Sequence, residues 1–288
     1  MSEQWSVSGP EVIEVGGPGD EPRRLDVRII SGQVDVIAHD DLQNITVEVT
    51  AVDGLPLDVS WQDGTLDIAH PRLRWESLVQ SVSEWDGRRR ASVEVSIAVP
   101  RGVEVHLGTV SAEGLLSGTT ATAQVRTVSG TVVVNGVTGP VDAKTVSGSI
   151  EVRDHRGPLV GTSVSGALTL HAVDLDHLRA NTVSGALTVD LERAPATVVA
   201  KSVSGDVMVR IPAATGYELT AKSVSGRVNA GGEQLARRPG KVEGVLSGGD
   251  GAVKISAQTV SGDVTLLHAA AAPGHEAEGG CPSMRKQP

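Results

Sequence analysis

The sequence predicts an all-β fold, a single-stranded β-solenoid of about 18 to 21 residues per coil behind an N-terminal β cap. Val-Ser-Gly recurs with its serine at 129, 147, 165, 184, 204, 225 and 261, in steps of 18, 18, 19, 20, 21 and 36 residues, the last of which reads as two units of 18. A fixed period of this size marks units that bury their apolar faces on one another. Around each copy, apolar and polar residues alternate with period two, the signature of strands rather than helices. The 288 residues include no Phe and a single Tyr, so the core is thin and aliphatic.

Each repeat reads as strand, corner, strand, turn. Six and four residues before the serine stand apolar or small residues, Ala123 and Val125 in the first copy and Ile255 and Ala257 in the last. Two before it stand only Thr or Ser, from Thr127 to Thr259. Inward positions resume three and five residues after the serine, as Val132 and Val134 or Ile150 and Val152, so the phase of alternation breaks at the motif and a corner sits there. The corner ladder comprises Ser129 and Gly130, Ser147 and Gly148, Ser165 and Gly166, Ser184 and Gly185, Ser204 and Gly205, Ser225 and Gly226, and Ser261 and Gly262. Glycine is expected there for backbone angles closed to other residues, and the serine hydroxyl for bonds to nearby backbone.

Ordering an 18-residue coil costs roughly 20–35 kcal/mol of backbone entropy, while each buried Val or Leu returns about 1.5–3 kcal/mol, so a coil persists only when stacked. The solenoid is predicted over 101–268, a β cap over 1–100 and a disordered tail over 269–288. Within the cap, Leu25, Val27 and Ile29 before Ser31-Gly32, with Val34 and Val36 after, form one repeat-like unit near 25–36. Residues 42–100 interrupt the pattern with longer strands, and Trp5, Trp61, Trp75 and Trp85 are expected to cover the first coil. The C-terminal end carries no obvious bulky cap, and 231–251 reads as either a degenerate coil or an inserted loop.

A net charge of −10 opposes binding to nucleic acid, and the single Cys281 excludes an intramolecular disulfide framework. No signal-peptide pattern and no apolar run of membrane-spanning length is evident, which predicts a cytoplasmic protein, with peripheral envelope association or non-classical export left open. Acidic residues are scattered rather than paired as a sugar-cleaving site requires. His171 and His177 flank a turn with Asp174 and Asp176 that reads as solvated. No catalytic residue, metal or cofactor is expected. The outward residues three before the serine include Arg126, Lys144, Lys201 and Lys222, interrupted by Thr162 and Asn181; this row is the candidate contact for a polyanion, although charged outward ladders ordinarily serve solubility.

The Leu25-Asp26-Val27 opening, the Val99-Pro100-Arg101-Gly102 step and the serial Thr-Val-Ser-Gly-x-Val motifs, first at Thr127 to Val132, resemble a bacterial family of adhesin-like β-strand-repeat domains of unknown function, over about residues 10–268. The resemblance implies a β-repeat fold whose motifs are structural, hence a non-catalytic structural or binding scaffold. Its partner would be a protein or an envelope polymer. A self-assembling filament subunit is the alternative, and a carbohydrate-active enzyme on a β-helix is a third reading from another class.

Overall fold

The computed structural model describes residues 2–71, 91–235 and 242–270, which contain strands and turns but no α-helix. The N-terminal strands are β1 (Ser2–Val7), β2 (Glu11–Val15), β3 (Arg24–Ile29), β4 (Ser31–His39), β5 (Ile45–Gly54), β6 (Leu57–Gln62), β7 (Thr65–Ala69) and β8 (Ala91–Pro100). Coils then follow two strands at a time: β9 (Glu104–Thr109) and β10 (Glu113–Ser117), β11 (Ala123–Thr127) and β12 (Val132–Asn135), β13 (Val141–Thr145) and β14 (Ile150–Arg153), β15 (Leu159–Ser163) and β16 (Leu168–Val173). The series continues with β17 (His177–Thr182) and β18 (Leu187–Leu191), then β19 (Ala196–Lys201) and β20 (Val207–Ile211). It ends with β21 (Tyr217–Ser223), β22 (Val228–Ala230), β23 (Glu233–Gln234), β24 (Val242–Gly248), β25 (Val253–Thr259) and β26 (Val264–His268).

Because the inward phase breaks at each corner, the two strands of a coil enter different sheets. One sheet runs β1-β6-β7-β3-β9-β11-β13-β15-β17-β19-β25-β21-β24 and the other β2-β5-β8-β4-β10-β12-β14-β16-β18-β20-β26-β22-β23. Their facing sides enclose one continuous core from Val7 to Leu266, built of the predicted inward Val, Leu, Ile and Ala. Register is one-to-one: Ala123, Val125 and Thr127 lie on Val141, Ala143 and Thr145, which lie in turn on Leu159, Gly161 and Ser163. The 19-residue step from Ser165 to Ser184 is absorbed where the register shifts between Leu170 and Val173, with Ala172 at φ 50°.

The stacking order departs from the order of the chain at both ends. The step of 36 residues is not two coils. The strands β25 and β26 insert between the coil of β19 and β20 and that of β21 and β22, pairing parallel with both. Residues 231–251 instead contribute β23 and β24, which run antiparallel along β22 and β21 and close the C-terminal end. That end is therefore covered, where the sequence suggested a bare coil. At the other end, β3 and β4 stack directly on β9 and β10, so the repeat-like unit near 25–36 is continuous with the coils after residue 101. The longer strands of 42–100 lie on its far side: β7 and β8 add one more parallel layer, and β5 and β6, then β1 and β2, cover it antiparallel. Trp61 is buried in this cap and Trp5 partly so, whereas Trp75 and Trp85 lie outside the described residues.

The corner's geometry corrects the reason for its glycine and adds a second hydroxyl to the serine's own backbone bonds. None of the seven corner glycines has a positive φ; what excludes a side chain is the neighbouring backbone. A Cβ on Gly148 would lie 2.1 Å from the carbonyl oxygen of Gly130, and one on Gly166 1.8 Å from that of Gly148. The same contacts trace the inserted coil, from Gly205 to Gly262 to Gly226. Further, the hydroxyl that holds the corner is the buried one two residues before the serine. Thr127, Thr145, Thr182 and Ser202 donate to the carbonyls of Gly130, Gly148, Gly185 and Gly205 at 3.1, 2.6, 3.0 and 2.7 Å, and Ser163 donates likewise to Gly166. Each such bond contributes about 1 kcal/mol net and spares a buried carbonyl. Ser111, Ser129, Ser204 and Ser225 reach instead to a carbonyl of the adjacent coil.

Candidate binding surface

With the inner faces given over to the core, chemistry is confined to the outer faces and the two edges. On the outer face of the first sheet the register sets Asp67, Asp26, His106, Gln124 and Asp142 in one row, and Arg28, Gly108, Arg126, Lys144, Thr162, Asn181, Lys201, Gln258, Lys222 and Glu243 in the next. The predicted basic residues therefore do share a column. The inserted coil, however, places Gln258 between Lys201 and Lys222, which the linear count treats as neighbours. Lys144 is tied to Asp142 and Lys222 to Glu243, each at 2.7 Å. Much of the column's charge is thus locally compensated.

A polar seam that linear reading missed joins three strands at the start of these rows. Arg24 Nε donates to both oxygens of Asp26 at 3.0 Å. The His106 ring, only 4% exposed, has Nε2 at 2.9 Å from Glu104 Oε1 and Nδ1 at 3.0 Å from Asp26 Oδ1 and 2.7 Å from Arg24 Nη2. Nδ1 serves one of these two neighbours at a time, as donor to the carboxylate or acceptor from the guanidinium. Burial alone would raise the Asp26 pKa; hydrogen bonds from His106 and Arg24, and the charge on Arg24, outweigh it and hold the carboxyl below its ordinary range. Asp67, in contact with Arg28, is raised, because burial there exceeds what the single guanidinium returns. The participants come from 24–28, 67 and 104–106, so only the register brings them together. In the sequence their one signal is a charged residue at outward positions of β3.

At the corner edge the valines of Val-Ser-Gly stack outward. Val110 is buried with Ile30 and Ala91, whereas Val164, Val183, Val203, Val224 and Val260 are 44–52% exposed. The serines beside them form a hydroxyl column with no adjoining base, a repeated bend rather than a row of nucleophiles. Among the described residues no group of three His, Cys, Asp or Glu is placed to hold a metal ion. Among the described residues, an open depression on the outer face of the second sheet is lined by Gln33, Asp35, Glu113, Leu115, Thr131 and Val133.

Two histidines lie inside the wall. His70 is fully buried, accepts at Nδ1 from the Ile30 amide at 3.2 Å, and has its pKa lowered by burial to about 4. His155, also buried, bonds the Val137 carbonyl and is lowered as well, burial outweighing its backbone bonds. Between the unfolded value near 6.5 and about 4 the unfolded chain binds the His70 proton and the folded chain does not, so stability is complete above about pH 6.5 and falls as pH drops through this window. The loss reaches roughly 3 kcal/mol near pH 4. Urea titrations at pH 7 and pH 4 are expected to differ by that much less for His70→Asn, which retains an acceptor; an unchanged difference would assign the acid sensitivity elsewhere.

Residues 23–267 match the family described as Toastrack DUF4097. The chain belongs to this Toastrack family. The match runs from β3 to β26, leaving out β1 and β2 of the cap. Comparison with curated proteins gives no match. Three crystal structures are similar to this Toastrack chain. One is of a "putative cell adhesion protein" from Clostridium sporogenes, 13% identical with a TM-score of 0.28, over 90% of this chain and 100% of that one. Two are from Parabacteroides distasonis, each 12% identical. The "putative adhesin" has a TM-score of 0.47 over 90% and 98% of the two chains. The "putative lipid binding protein" has 0.42 over 91% and 98%.

Proposed function

We propose that this Toastrack chain is a non-catalytic binding scaffold, adhesin-like in the sense that its broad outer β surfaces engage an extended partner, a protein or an envelope polymer. The observation that carries the reading is the pair of outer faces, each 13 strands long and covered by no helix among the described residues. Rows of side chains spaced about 4.8 Å apart on such a face suit a partner with its own linear repeat. Several polar groups that could serve a reaction are committed to one another: Asp26, Glu104 and His106 in the seam, Glu151 with Arg153, and Asp190 with Arg210. Surface pairs of this kind add little stability but leave no unengaged carboxylate pair at these positions.

The test is to incubate the full chain with acidic and neutral envelope polysaccharides and with a cell-envelope protein extract, following retention and polymer length together. Retention without shortening is the expected result. Shortening of any polymer would overturn the non-catalytic reading, and absence of retention on every polymer and protein would overturn the scaffold reading.

A further inference from the structure

Among the described residues, unbalanced negative charge is concentrated at one end of the stack. The two segments that build the outermost N-terminal layers, 1–22 and 40–65, hold eleven Asp and Glu and no Lys or Arg. The remaining chain then carries 24 acidic against 25 basic residues, so these layers account for the whole net charge of −10. Ten of the eleven are exposed, Asp20 alone being half-buried where it accepts from Trp61 Nε1 at 2.7 Å. Glu3 on β1, Glu11 and Glu14 on β2, Glu48 on β5 and Asp58 on β6 form no ion pair among the described residues; Asp40 pairs with Arg101.

The same layers present unfinished sheet. Among the described residues each of β1 and β2 has a strand neighbour on one side only, so its other side presents a row of backbone groups to another chain. The C-terminal end limits its edges otherwise: β23 has two residues, and β24 carries two glycines and one acid, Glu243, which is tied to Lys222. A solenoid with open ends joins copies wherever its terminal layers can approach each other. At the N-terminal end approach of a second copy sets Glu3, Glu11, Glu14, Glu48 and Asp58 against the same acids of the other copy.

We infer that the acidic N-terminal layers are an electrostatic guard against end-to-end pairing, keeping the open edges of both sheets from joining those of another copy and the chain monomeric. The guard acts through placement, because Glu3, Glu11 and Glu14 lie on the edge strands β1 and β2, and Glu48 and Asp58 on β5 and β6 beside them. It weakens with salt, since the screening length falls to about 3 Å at 1 M ionic strength.

The experiment is light scattering after size exclusion on the full chain at low salt, over a wide concentration range. It compares wild type with a guard variant, Glu3→Gln, Glu11→Gln, Glu14→Gln, Glu48→Gln and Asp58→Asn. A control variant removes the same charge elsewhere, with Glu113→Gln, Asp154→Asn, Asp176→Asn, Glu192→Gln and Glu218→Gln. Circular dichroism establishes that all three are equally folded. The expected result is monomeric wild type and control, with the guard variant at twice the mass or more. A monomeric guard variant overturns the inference. So does equal association of both variants, which would make net charge rather than its placement decisive, and so does wild type that is already oligomeric at low salt.

Discussion

Gly166→Ala is expected to destabilise the fold by about 3 kcal/mol or more, the upper range for overpacking. The added methyl would sit 1.8 Å from the Gly148 carbonyl oxygen, and that obstacle is backbone already held by the Thr145 hydroxyl, which donates to it at 2.6 Å. Relief would require the two coils to separate, which breaks parallel pairing on both sheets. For a chain of this size such a loss corresponds to a fall of about 5–10 °C in Tm. Gly102→Ala provides the comparison, since a Cβ there meets nothing within 4 Å and its φ is unexceptional. Equal melting of the two variants would show that the corners tolerate a side chain and that the recurring glycine has another cause.

A chain ending at residue 252 is expected to lose more than its last coil. Val253, Ile255, Ala257, Val264 and Leu266 are buried between the coil of β19 and β20 and that of β21 and β22. Their burial is worth on the order of 10 kcal/mol at about 1.5–3 kcal/mol per large side chain, comparable to the whole stability of a typical domain. Removing them opens a gap inside the stack, so amide exchange should show β21 and β24 unprotected while β9 to β20 retain protection. Stacking in chain order predicts the opposite, with β21 resting on β19 and keeping its protection. Retained protection would therefore mean that this order is not obligatory.

These two expectations separate what could be read along the chain from what could not. The period-two alternation of Ala123, Val125 and Thr127, the break at Ser129-Gly130 and the resumption at Val132 were legible because strand geometry alone requires them. The basic column was legible too, since a fixed offset from the corner defines it. Its compensation by Asp142 and Glu243 was half visible. Asp142 lies two residues from Lys144, but Glu243 reaches Lys222 only through the antiparallel turn-back of β24. The seam around His106 was not legible, because Arg24, Asp67 and Glu104 meet only across strands separated by dozens of residues.

The sequence by itself determined the unit: two short strands, a Ser-Gly corner between them, and a Thr or Ser two residues before the serine; the steric reason for the glycine, and which hydroxyl holds the corner, came from the stacking. Tertiary structure alone decided the order of the units. Every coil presents nearly the same Val, Ala and hydroxyl ladder to its neighbours, so local pattern accepts any coil on any other. The choice rests with long-range closure, in which β7 and β8 cover β3 and β4 at one end, and β21 leaves room for β25 before β24 turns back along it at the other. Repetition makes the fold readable and, for the same reason, hides its connectivity.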